Sequence, residues 1–69
     1  PGEGELFYHQ LLGMSVVTRS GEDVGTIREV YQLRPAALLD VHGSDGECLI
    51  PFTRKIVVGW DLGAGRLTI

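Results

Sequence analysis

Two histidines and one cysteine are the side chains here best suited to bind a metal or attack a substrate. His9, His42 and Cys48 show no paired spacing of the CxxC or HExxH kind, so no metal site is expected from them. Cys48 falls in an expected strand, shares a face with Ile50, and has no base beside it in sequence. A buried, inert thiol is the simpler expectation than a nucleophile. Gly21-x-x-x-Gly25 is not a phosphate loop, because no Gly-Lys-Ser/Thr follows and no helix opens after it. Asp40, Asp45 and Glu47 flank an expected hairpin and read as a solvated rim, too sparse in oxygen ligands for calcium. Arg54 and Lys55 are the only adjacent basic pair. Without interleaved aromatics they make a thin nucleic-acid patch and read most simply as a solvated corner. No catalytic residue and no cofactor is therefore expected. The remaining chemistry is recognition. Phe7 and Tyr8 are adjacent aromatics, a residue type enriched at interfaces, and one of them can be left for a partner. Phe7, Tyr8, Arg54 and Lys55 are the candidate partner-binding residues.

The elements that position these residues have to come from a chain of 69 residues, enough for one domain. The apolar fraction of 43% suffices for one core and is too high for disorder. No apolar run approaches the roughly 20 residues that cross a bilayer. One cysteine permits no intrachain disulfide, which fits a reducing compartment. A formal net charge of −3 suits a basic protein partner better than a phosphate backbone. Residues 1–5 are acidic and glycine-rich, as in a flexible lead-in or interdomain linker. The absence of an initial methionine and the stop on Ile69 suggest a piece of a longer protein, with the domain proper over 6–69.

Glycine and proline punctuate short apolar runs along the whole chain, and the fold class expected is all-β. Leu6 to Gly13 reads either as alternating strand or as one helical turn, with Leu11 and Leu12 plugging one end of a barrel. Met14–Thr18 and Val24–Tyr31 form a hairpin around the polar turn Arg19–Asp23. Ile27 and Val30 lie three apart, so a β-bulge near Arg28-Glu29 is needed for both to face inward. Gly25 marks a bend or a close backbone approach. A helix over Val24–Leu33 is disfavoured by Gly25 and by Pro35. Ala37, Leu39 and Val41 share one face of the next strand, and Asp45-Gly46 signals a hairpin into Cys48–Ile50. Pro51 ends that strand, Thr53–Lys55 turns, Ile56–Trp60 forms a strand, Asp61–Gly65 turns again, and Leu67 and Ile69 share a face of the last strand.

The order Leu49-Ile50-Pro51-Phe52, polar corner, Ile56-Val57-Val58-Gly59-Trp60-Asp61-Leu62, glycine turn and Gly65-Arg66-Leu67-Thr68-Ile69 resembles the end of a PRC-barrel. In particular it resembles the C-terminal barrel of the ribosome maturation factor RimM family. The run Gly21-Glu22-Asp23-Val24-Gly25-Thr26-Ile27-Arg28-Glu29-Val30-Tyr31 is similar to that fold's first hairpin. Phe7 and Tyr8 match the family's aromatic cluster and Leu11-Leu12-Gly13 its Leu-x-Gly, while Gln10 stands at its usual acid and Leu6 at a common aromatic. Arg34–Ala37 departs from the family's Gly-small-Asn-Asp turn. The resemblance implies a small, strongly bent PRC-type β-barrel of about six short strands, non-enzymatic and cytoplasmic. It implies a C-terminal domain paired with an N-terminal barrel in a factor for 16S rRNA processing and 30S subunit maturation. That factor docks on the head of the subunit through the nineteenth small-subunit ribosomal protein. Direct RNA contact by this barrel does not follow from it. Three alternatives stay open: a PRC-barrel of the reaction-centre H-subunit type, capping a membrane protein from the cytoplasm, a generic protein-interaction barrel, or a domain of an enzyme whose site lies elsewhere in a longer chain.

Overall fold

A computed structural model of the chain describes residues 8–69. The expectations for Leu6, Phe7 and the lead-in over 1–5 lie outside the described residues. A 3₁₀ turn, η1 (Tyr8–Leu11), precedes six strands: β1 (Ser15–Val17), β2 (Asp23–Tyr31), β3 (Leu38–Gly43), β4 (Gly46–Pro51), β5 (Gly59–Asp61) and β6 (Arg66–Thr68). They form one sheet in the order β4-β3-β2-β1-β6-β5. β1 to β4 run as an antiparallel meander, and the β5–β6 hairpin returns so that β6 lies parallel to β1. The all-β, six-stranded PRC-type architecture stands. The barrel is a half-open one, because β4 and β5 do not pair among the described residues.

The core follows from strand alternation. Leu11, Val16, Ile27, Leu39, Val41 and Leu67 are fully buried, with Met14, Ile50 and Val57 closing around them. Leu11 enters this core from the end of η1, whereas Leu12, just past it, is exposed, because consecutive side chains leave so tight a turn in different directions. The expected bulge is present: the β2–β3 register shifts between Ile27 and Glu29, Arg28 is exposed, and Val30 returns to pack on the core. A second shift, between Val16 and Val17, bends β1 against β2. Such bulges increase local twist, and that curls a six-stranded sheet around so small a core.

Gly25 is the close approach that its position in a strand suggested. A Cβ there would lie 2.5 Å from the His42 carbonyl oxygen and 2.7 Å from its carbon. A Cβ at Gly43 would meet the Val24 carbonyl oxygen. β2 and β3 therefore cross with bare backbone against bare backbone.

Three local expectations change. Ile56–Val58 is not ladder strand. Ile56 and Val57 N–H both donate to the Thr53 carbonyl, at 3.1 and 2.7 Å, so residues 53–57 form one tight turn that drops Val57 into the core. β5 then begins only at Gly59, after Val58 N–H has reached the Thr68 carbonyl at 2.8 Å. The β3–β4 hairpin turns on Ser44-Asp45, one residue earlier than expected, with Gly43 paired to Gly46 at φ +120°. Cys48 is exposed. It alternates in phase with Ile50, but β4 is an edge strand and the core ends beside Ile50.

Two measurements check this description. Gly25→Ala loses about 1–3 kcal/mol of stability in urea denaturation, as forced overpacking does, whereas Gly59→Ala, with open space around it, leaves the midpoint nearly unchanged. The Cys48 thiol is labelled by a thiol reagent in the native state nearly as fast as in the denatured one. Strong native protection would contradict its exposure.

Candidate functional site

Three of the aromatic rings among the described residues, Tyr8, Phe52 and Trp60, meet at the corner between β4 and β5, while Tyr31 is exposed at the end of β2. Pro51 ends β4, and Phe52 N–H donates to the Ala37 carbonyl at 2.8 Å, pinning the chain where it leaves the sheet. The Phe52 ring then sits between two others. Tyr8, from η1, meets it edge-on, with centroids 6.4 Å apart at 78°. Trp60, from β5, lies 5.5 Å away at 48°. Both separations fall in the range where aromatic quadrupoles attract. Tyr8 and Phe52 also pack on the core, so the row is anchored at its inner end. Trp60 retains 42% of its surface and is the outer end.

Beside the row lies a shallow apolar recess of about 190 Å³, lined by Phe52, Thr53, Arg54, Val57 and Trp60. The tight turn over 53–57 supplies Thr53, Arg54 and Val57 to its walls and leaves Arg54 and the neighbouring Lys55 exposed to solvent. Neither forms an ion pair among the described residues. Ile56, Val58 and Leu62 are further exposed apolar side chains of the same stretch of chain. A pre-ordered aromatic recess with a cationic rim is the arrangement that takes an apolar anchor from a partner and excludes water around it.

Of the four candidate residues, the structure brings Tyr8 and Arg54 to this corner, through Phe52, and Lys55 stands beside Arg54. Phe7 lies outside the described residues. Trp60 was missed as a site residue: in sequence it reads as one more apolar strand position. The signal that could have found it was its place immediately before the Asp61–Gly65 turn, at the end of a strand. That turn is held by Asp61 Oδ1, which accepts from the Ala64 N–H at 3.1 Å.

Catalytic groups do not gather at this corner. Titratable side chains converge instead on the outer face of the β3–β4 hairpin, at Asp40, His42 and Glu47. Spacing along the chain did not disclose them, since the cross-strand pairing of His42 with Glu47 joins them. No helix among the described residues is long and apolar enough to cross a membrane.

The sequence profile of the RimM PRC barrel domain matches residues 8–69, and the chain belongs to that family. The ribosome maturation factor RimM of Halalkalibacterium halodurans is 38% identical over 72 residues, which cover 99% of this chain and 40% of that protein. The Streptomyces coelicolor protein of the same name is 43% identical over 68 residues, 97% of this chain and 36% of its own. The chain thus spans well under half the length of these curated relatives. Among solved structures, a 16S ribosomal RNA processing protein RimM from Pseudomonas aeruginosa superposes with a TM-score of 0.81 at 26% identity, covering 99% of this chain and 46% of that one.

Proposed function

We propose that this member of the RimM PRC-barrel family is the C-terminal, non-enzymatic binding module of a cytoplasmic factor that assists 16S rRNA processing and 30S subunit maturation. Residues 1–5 are the lead-in from a companion N-terminal barrel. The module docks on a ribosomal protein of the subunit head, the nineteenth of the small subunit. Phe7, Tyr8, Arg54 and Lys55, with Phe52 and Trp60, form the docking surface. The observation that carries the proposal is the aromatic row Tyr8–Phe52–Trp60, rooted in the core and open at Trp60, in a chain whose relatives are named ribosome maturation factors.

The physical logic divides affinity from encounter. Burying a tryptophan in a matching pocket supplies most of the affinity, because such central aromatics dominate interface energetics. The domain's net charge of −3 favours approach by a basic ribosomal protein. Arg54 and Lys55, on the rim of an otherwise acidic domain, set orientation against acidic or carbonyl groups of the partner.

Titration calorimetry of the two-domain protein against that ribosomal protein tests the proposal. Trp60→Ala weakens binding by about 2 kcal/mol if it is a hot spot, and Phe7→Ala/Tyr8→Ala does likewise. Raised salt slows association more than it speeds dissociation. Circular dichroism establishes that each variant is folded. Unchanged affinity in folded variants removes this corner from the interface, and no binding by the wild-type two-domain protein overturns the partner assignment.

A further inference from the structure

The outer face of the β3–β4 hairpin carries three side chains aimed at one point. Asp40 and His42 are two residues apart on β3 and so leave the sheet on one face. Glu47 stands directly across the ladder from His42. His42 Nε2 lies 3.2 Å from Asp40 Oδ2 and 3.9 Å from Glu47 Oε2. One donor atom from each residue lies within 4.8 Å of the other two. Nε2 is closed off from solvent although the ring as a whole is not, and no hydrogen bond satisfies it. The carboxylates approach it without hydrogen-bond geometry. Among the described residues no lysine or arginine forms an ion pair with either of them. Two carboxylates and an unsatisfied ring nitrogen therefore share one small volume, with no lysine or arginine paired to them among the described residues.

We infer that Asp40, His42 and Glu47 bind a divalent transition-metal ion of the zinc class. An imidazole nitrogen with two carboxylate oxygens is a donor set such ions accept, whereas calcium takes six to eight oxygens. The spacing agrees. Donors at ordinary zinc distances in tetrahedral geometry lie roughly 3.3–3.6 Å from one another. The two His42 separations, 3.2 and 3.9 Å, bracket that range. The adjustment falls to Glu47, the most exposed of the three. Asp40 and Glu47 also line an open cleft with Tyr31, Cys48 and Leu49, so room remains for a water or an exogenous ligand to complete the coordination. The ion ties β3 to β4 on the outer face, beyond the last core residue of β4.

Zinc titration of the protein, with cobalt(II) as the spectroscopic probe, tests this. One equivalent of zinc binds and shifts the imidazole resonances of His42 but not those of His9. Cobalt gives a visible absorption band of a low-coordinate site. His42→Gln abolishes both signals, and Asp40→Asn and Glu47→Gln each lower the affinity about tenfold or more. Cys48→Ser leaves it unchanged. Affinity falls as pH falls, because protons compete for the same donors. Zinc binding that survives His42→Gln would assign the metal to unrelated surface groups and overturn the site. No binding by the wild type at micromolar zinc would overturn it as well. Neither readout involves the ribosomal partner, so this site and the docking surface stand or fall separately.

Discussion

The rest of the structure depends on the crossing of β2 and β3 at Gly25 and Gly43. At that point the Gly25 Cα faces the His42 carbonyl and the Gly43 Cα faces the Val24 carbonyl, with no room for a side chain on either. β2 is the longest strand and pairs on both sides, with β1 and with β3. Its bulges on either side of this contact let one strand turn through the angle that a small barrel demands. The sheet then wraps Leu11, Ile27, Leu39, Val41 and Leu67 into a single core that a flat sheet of this length could not enclose.

The same crossing places both candidate sites. Toward the hairpin tip it fixes where His42 sits on β3, and the ladder then sets Glu47 opposite and Asp40 alongside. Toward the other end, Ala37 leads into β3 and receives the N–H of Phe52, which orients the aromatic corner. Substitution at Gly25 should therefore disturb the acidic cluster and the aromatic row together, although neither contains a glycine.

Much of this was legible in the residues. The face shared by Ala37, Leu39 and Val41, the bulge demanded by Ile27 and Val30, the meaning of Gly25 and the turn over 61–65 all rest on local rules, alternation and backbone freedom. What was not legible depends on where the sheet stops. Cys48 and Ile50 have identical parity, but only Ile50 lies over the core, and parity carries no information about an edge. Ile56-Val57-Val58 has strand composition, yet the chain needs a turn there to pass from β4 to β5, and tertiary demand overrides propensity. The Asp40–His42–Glu47 cluster is a fact of cross-strand register, and a hairpin displaced by one residue would have dispersed it.

The open seam between β4 and β5 decides what kind of surface this side of the fold presents. Unpaired strand edges invite indiscriminate pairing, and this fold limits them in different ways. β5 is three residues long, and β4 ends in a proline that has no N–H to offer. The chain that bridges the seam, 52–58, is coiled into a tight turn, so its polar backbone is partly satisfied, and it turns Arg54, Lys55, Ile56 and Val58 outward while Val57 enters the core. What the seam presents is therefore side-chain surface, Phe52, Arg54 and Trp60, more than free backbone. A partner recognised at such a place would be read by the shape and charge of its side chains. An exposed ladder edge would accept almost any extended strand, whereas a seam closed by an aromatic row selects.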